Sequence, residues 1–332
     1  MPFARITKRF CAATALLAAL AGSASAADKV VFQLDWLPGG DKAPIYVCID
    51  KGFCAEEGLE IAIEPGRGST EAITRLAAGT SDVGSADIGA LMAAKVQENV
   101  GITAIMSIFN KGPHAFFAIK GSGIAKIEDV KGKKVATSPF TSSNVFLPLV
   151  LTDKGMNEAD ITLTKADPGA LSPMLMTGAT DVIIAWMTNV SVFTKQATAA
   201  GKELEIMPWY AAGLDLYSAS LLASDKFITE RPDVAKRFVK AFKKSLEYVK
   251  SNPDDAAQSV HKIVPELTVD DVKGAILDTA VLEFNEVTEK DGLGVFEKER
   301  LAETWKRVAA AQKLDVTKMD AEAFVNRSFL AE

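Results

Sequence analysis

Short apolar runs alternate with longer stretches of helical periodicity through the first two thirds of the chain, with polar turn residues between them. Residues 29–34 (KVVFQL) predict a strand, followed by the loop Asp35-Trp36-Leu37-Pro38-Gly39-Gly40. Pro44 then opens a helix, in a first turn where its missing N–H costs nothing. Gly52 and Gly58 break the chain before residues 59–63 (LEIAI), whose alternation predicts a second strand. Pro65-Gly66-Arg67-Gly68 turns into a helix starting near Ser69, and residues 81–86 and 102–109 are further short apolar strands. The second half repeats the plan. A strand at 133–138 leads through Pro139-Phe140-Thr141 to a helix from about Ser142. A strand at 161–165 leads through Pro168-Gly169 to a helix carrying Leu171, Met174 and Leu175. Strands alternating with helices in this way predict an α/β fold with largely parallel sheets.

One echo is specific. Residues 76–83 (LAAGTSDV) are matched by residues 175–182 (LMTGATDV). In both, a helix ends, a glycine follows and an aspartate precedes a strand. Asp82 and Asp181 therefore read as residues that hold a turn, and two similarly built lobes are expected. After a strand at 217–223 (YSASLLA) the pattern becomes helical. Val234, Phe238, Phe242 and Val249 fall near one face of a helix entered through Pro232. Asn252-Pro253 starts another, Thr268 and Asp271 form a capping box for a third, and Trp305 and Val308 lie in a fourth. This helical tail is long enough to wrap a lobe.

Residues 1–26 read as a cleaved signal peptide: Arg5, Lys8 and Arg9, an apolar stretch at 10–21, then Ala24-Ser25-Ala26. The stretch is too short to span a hydrocarbon core of ~30 Å. The mature protein is expected in the periplasm, beginning near Ala27. Its net charge moves from −6 to −9, because three basic residues and no acid leave with the signal. Cleavage also removes Cys11 and leaves Cys48 and Cys54, which fit either a disulfide or two buried thiols. An apolar fraction of 48% supports a packed core and excludes a disordered chain, and the acidic balance argues against nucleic acid as a partner. His114 and His261 are the only histidines, so neither a metal site nor a nucleophilic triad is expected. GRGST at 66–70 lacks the G-K-[ST] of a phosphate-binding P-loop.

Candidate chemistry lies on the loops that follow strands, since α/β sheets bind ligands beyond their strand ends and at helix N-termini. These loops supply Asp35 and Trp36; Arg67, Gly68, Ser69 and Thr70; Thr141 and Ser142; and Trp186 and Asn189. Tyr217 is a further aromatic wall. Ser69 and Ser142 suit plain helix capping as well as ligand contact. Arg67 is the obvious cation of these loops, with Lys42 and Lys111 as further candidates, and His114 reads as a hinge or surface residue rather than a base. Aromatic walls favour a planar heterocycle or aromatic acid, whereas hydroxyls at helix starts favour an anion, and both readings stay open.

These residues carry a resemblance. D-W-x-P at 35–38, A-P-I-Y-V at 43–47, K-G-F at 51–53, E-E-G-L at 56–59, G-x-G-S at 66–69 and L-A-A-G-T-S-D-V-G at 76–84 resemble the solute-binding proteins of ABC importers for nitrate, sulfonate (SsuA-like), taurine (TauA-like) and thiamine-pyrimidine precursors. D-W-x-P is most similar to the pyrimidine-precursor branch, the NMT1/THI5-like group, and the likeness continues through K-G-K-K-V at 131–135 and F-I-T-E-R-P-D-V at 227–234. The resemblance implies a two-lobed type II periplasmic-binding-protein fold with a helical C-terminal extension, whose lobes close on a ligand. It places lobe 1 at 27–115 and 217–332 and lobe 2 at 116–216, with crossovers near His114 and Tyr217. It implies a monomeric, non-catalytic periplasmic component without a cofactor. That component would deliver a small molecule to the transmembrane subunits of an ABC permease and meet the membrane only there. The alternative is a pyrimidine-precursor-forming enzyme of the same superfamily. Those enzymes carry a Cys-rich motif and catalytic histidines that this chain lacks.

Overall fold

The structure, a computed structural model, describes residues 26–330; the expected signal peptide lies, except for Ala26, outside the described residues. The chain first lays down β1 (Asp28–Gln33), β2 (Leu59–Glu64), β3 (Val83–Asp87) and β4 (Ile102–Ser107), then β5 (His114–Ile119), β6 (Lys134–Thr137), β7 (Thr162–Lys165), β8 (Val182–Trp186) and β9 (Leu204–Pro208), and finally β10 (Ala219–Ser224). Two five-stranded sheets result, ordered β2-β1-β3-β10-β4 and β7-β6-β8-β5-β9. β1 pairs in parallel with β2 and β3, and β6 with β7 and β8. In each sheet one strand runs against its neighbours: β10 between β3 and β4, and β5 between β8 and β9. The chain passes from one sheet to the other after β4 and returns after β9. The α/β class and the two lobes expected from the alternation are present. β9, an edge strand ending in Pro208, is absent from the expected strands although Leu204-Glu205-Ile206 alternates.

Helices join the strands: α1 (Ala43–Asp50), α2 (Phe53–Glu56), α3 (Ser69–Ala77), α4 (Ile88–Glu98), α5 (Ser143–Thr152), α6 (Pro168–Thr177) and α7 (Val190–Ala199). The repeated octapeptide does the same work in each lobe. Gly79 and Gly178 follow α3 and α6 with φ of +71° and +74°. The Asp82 carboxylate then accepts from Val31 N–H at 2.9 Å, and that of Asp181 from Lys134 N–H at 2.8 Å. Each aspartate thereby ties the entry of one strand to the next, as the turn reading expected. Cys48 in α1 and Cys54 in α2 are joined by a disulfide, with the chain reversing at Gly52 (φ +76°) between them.

The tail forms α8 (Asp225–Glu230), α9 (Pro232–Ser251), α10 (Pro253–Ile263), α11 (Val269–Glu283), α12 (Glu286–Asp291) and α13 (Lys298–Gln312). Its apolar face covers the first sheet, where Phe32 of β1 lies 5.8 and 6.1 Å from the rings of Phe238 and Phe242 of α9. Burying each such ring stabilises by roughly 1.5–3 kcal/mol. Two tail helices also reach the second lobe. α13 packs on α5, with Arg307 paired to Asp153 at 2.6 Å and Gln312 donating to the Val145 carbonyl at 2.7 Å. α11 meets α7 through Asp278, which accepts from the N–H and hydroxyl of Ser191 at 2.6 and 2.9 Å, and through an Asp271–Lys195 ion pair at 2.5 Å. Asp278 thus caps a helix of the opposite lobe. Among the described residues no helix is long and apolar enough to cross a membrane.

Candidate functional site

The loop after β1 is pinned by packing. Gly66 lies against the Leu34 carbonyl so closely that a Cβ there would fall 2.1 Å from its oxygen, and the Gln33 side chain donates to the carbonyls of Leu34 and Pro65. This holds Asp35 in the interior, almost fully buried, with Trp36 half-buried beside it. The turn Gly40–Lys42 brings Asp41 and Lys42 to the same place. Lys42 Nζ sits 2.5 Å from Asp35 Oδ1 and 2.8 Å from an Asp41 oxygen, and Ser85 Oγ donates to Asp35 Oδ1 at 2.9 Å. Burial disfavours the ammonium, yet the two adjacent carboxylates outweigh it and hold Lys42 charged, with a pKa above that of free lysine. Burial raises the Asp41 carboxyl against the pull of Lys42, and it raises nearby Glu283 well above the usual carboxylate range.

Of these groups Asp35, Trp36 and Asp41 border a narrow cavity between the lobes. The first lobe lines it with Asp35, Trp36, Asp41, Gly68 and Ser69, and the second with Thr141, Ala185, Trp186, Thr188 and Asn189. Trp186 ends β8, with Lys42 Nζ 5.5 Å over its ring and Phe109 edge-on at 6.1 Å. Its indole N–H has no hydrogen-bond partner among the described residues. A wider cleft of about 290 Å³ adjoins the cavity, bounded by the Leu37–Gly40 loop, α6, α7 and α11, and sharing Trp36, Asp41, Ala185, Thr188 and Asn189 with it. Behind the cavity a polar chain crosses between lobes. Asp87 at the end of β3 accepts from Gly89 N–H and Ser218 Oγ and pairs with His114 Nε2 at 3.3 Å, while His114 Nδ1 meets Ser143 Oγ at 3.0 Å.

The geometry brings Asp35, Trp36, Gly68, Ser69, Thr141, Trp186 and Asn189 together and leaves the other candidates elsewhere. Arg67 points outward, half exposed, where Glu71 binds it at 2.9 Å and the Phe140 ring lies 4.9 Å below. A carboxylate one helical turn away is a nearer partner than the cavity. Thr70 is spent on the lobe seam, its N–H and hydroxyl both donating to the Phe140 carbonyl. Ser142 is buried at the start of α5 without lining the cavity, and its hydroxyl makes no capping bond. Tyr217 precedes β10 rather than lying in it. It is packed edge-on to Phe296, and its hydroxyl accepts from Glu297 N–H at 2.8 Å, so it anchors the tail. Lys111 faces Glu286 and Tyr210. His114 is buried, so the surface reading fails for it: it bridges the lobes instead. Sequence reasoning passed over Asp41. An acid and a base side by side in front of the apolar α1 were the available signal, since neither has solvent to turn to.

The family model described as NMT1/THI5 like matches residues 40–256. The riboflavin-binding protein RibY of Chloroflexus aurantiacus is 24% identical over 305 residues, covering 90% of this chain and 85% of its own length. The 4-amino-5-hydroxymethyl-2-methylpyrimidine phosphate synthase THI13 of Saccharomyces cerevisiae is 26% identical over 253 residues, 73% of each chain. Among solved structures, the alkanesulfonate-binding protein SsuA of Xanthomonas axonopodis superposes with a TM-score of 0.70 at 13% identity, covering 91% of this chain and 99% of that one. The shared architecture is that of the periplasmic binding proteins.

Proposed function

The chain belongs to the NMT1/THI5-like family, and on that premise we propose that it is the periplasmic solute-binding component of an ABC importer. It captures a small ring-bearing solute between its lobes and hands it to the permease. Residues 1–26 direct export and are removed. The lobes, 27–115 with 217–332 and 116–216, turn about the two chain crossings. The inner cavity carries this reading: strand-end loops of both sheets close around it, and indoles from both lobes, Trp36 and Trp186, form part of its wall. Such an arrangement binds by enclosure, the common use of a pocket between lobes.

The yeast relative favours a second reading, synthesis of a pyrimidine precursor. The side chains here argue for binding instead. Neither histidine lines the cavity: His114 spends both ring nitrogens on Asp87 and Ser143, and His261 meets the Leu267 carbonyl. Lys42, the amine nearest the cavity, is held protonated by two carboxylates and has no lone pair for covalent chemistry. The test is titration of the mature protein followed by tryptophan fluorescence and thermal shift across a broad solute library. Saturable quenching with a raised melting temperature is expected. Silence across the library, or turnover of a bound compound, overturns the proposal.

A further inference from the structure

We infer that the inner cavity selects solutes bearing a positively charged nitrogen and rejects anions; this rests on the solute-binding reading above. The charged residues lining the cavity are Asp35 and Asp41, and among the described residues no basic side chain lines it. Lys42 lies between the two carboxylates and is consumed by them, at 2.5 and 2.8 Å. Lys42 is therefore no free cation for a solute, and among the described residues lining the cavity no second cation faces the carboxylates. Asp35 spends a single oxygen on both Lys42 and Ser85, while Oδ2, buried in a side chain that borders the cavity, has no partner. Arg67, the cation that would have met an anion, is turned outward onto Glu71.

Water is largely excluded here, so charge is weakly screened and an unpaired carboxylate is costly. A solute that brings an N⁺–H to Asp35 Oδ2 forms a charge-assisted hydrogen bond, and the indole face of Trp36 attracts the same cation. A neutral solute leaves Oδ2 unpaired on closure, and an anion adds repulsion. The ligand class is therefore a small heteroaromatic or aliphatic ring carrying an ammonium or protonated amidine.

The test is a charge-matched panel. Three ring systems (pyrimidine, pyridine and indole), each bearing an aminomethyl, a hydroxymethyl or a carboxylate arm, are titrated by calorimetry and tryptophan fluorescence at pH 7 into wild type and Asp35→Asn. Within any ring system that binds, the aminomethyl compound is expected to be at least tenfold tighter than the hydroxymethyl one, with the carboxylate undetectable. Asp35→Asn, which keeps the side chain's size, should erase that preference. Equal or tighter binding of a neutral or anionic arm by wild type overturns the inference and leaves solute binding standing, as does a preference that survives Asp35→Asn. Silence of the whole panel counts against charge selection; extended to the broad library, it overturns solute binding itself. Circular dichroism and melting of the free variant report its folding. If Asp35→Asn does not fold, Asp41→Asn takes its place, and the wild-type ranking decides in either case.

Discussion

Replacing Gly68 with alanine should hold the two lobes apart. Gly68 stands immediately before α3 and faces the second lobe. A Cβ on it would lie 2.1 Å from both the carbonyl carbon and oxygen of Phe140 and 2.6 Å from Thr141 N. All three are backbone atoms and cannot swing aside. Restoring ordinary contact at ~3.5 Å requires a gap of roughly 1 Å or more across the seam. Three hydrogen bonds close that seam: Thr70 N–H and Oγ1 to the Phe140 carbonyl, at 3.1 and 2.9 Å, and Ser138 Oγ to the Arg67 carbonyl, at 3.0 Å. At about 0.5–1.5 kcal/mol each, their loss costs roughly 1.5–4.5 kcal/mol. Solute affinity should fall between about tenfold and a thousandfold, since ~1.4 kcal/mol is a factor of ten. The strands and helices keep their own backbone hydrogen bonds, so circular dichroism should not change. Calorimetric titration of wild type and Gly68→Ala with a panel compound that binds, beside small-angle scattering with and without it, makes the measurement. Wild-type affinity with an unchanged radius of gyration would refute the view that this seam closes the site.

Other expectations follow from single side chains. Trp36→Ala should weaken binding by about 1–3 kcal/mol through lost aromatic contact, whereas Arg67→Gln should leave affinity within twofold because its guanidinium is held outside by Glu71; a tenfold loss on Arg67→Gln in the same titrations would reinstate it in the site. Glu283 keeps its proton when folded but ionises near 4.5 when unfolded, so stability should decline as pH rises above that value, by about 1.4 kcal/mol per pH unit until the folded group ionises. Glu283→Gln should therefore be more stable than wild type at pH 7 and lose that advantage near pH 4, read from melts between pH 4 and 8; parallel curves would contradict the assignment. Reducing the Cys48–Cys54 bridge, which spans only six positions, should cost about 2 kcal/mol and lower the melting temperature by several degrees, an effect absent in Cys54→Ser.

What the chain determined by itself was local. Turn residues and periodicity located most strands and helices because those signals act within a few residues. Pro232, Pro253 and Thr268 start helices wherever the tail lies, and the two L-x-x-G-x-[ST]-D-V segments close the same aspartate-to-strand turn in both lobes. The loops able to carry a site were legible for the same reason, since they follow strand ends. Which side chains those loops turn inward was decided by tertiary structure. Arg67 and Asp35 both sit on strand-end loops, yet Arg67 finds Glu71 one helical turn away while Gly66 and Gln33 lock Asp35 inside. Tyr217 had the composition of a ligand wall, but Thr304 of α13 and the Val295–Glu297 backbone hold it in the tail instead. Asp41, Lys42 and the Asp87–His114 pair acquire their meaning from partners brought together by folding, because the energy of a buried charge depends on what stands within a few ångströms of it, and that is set by the packing of the two lobes.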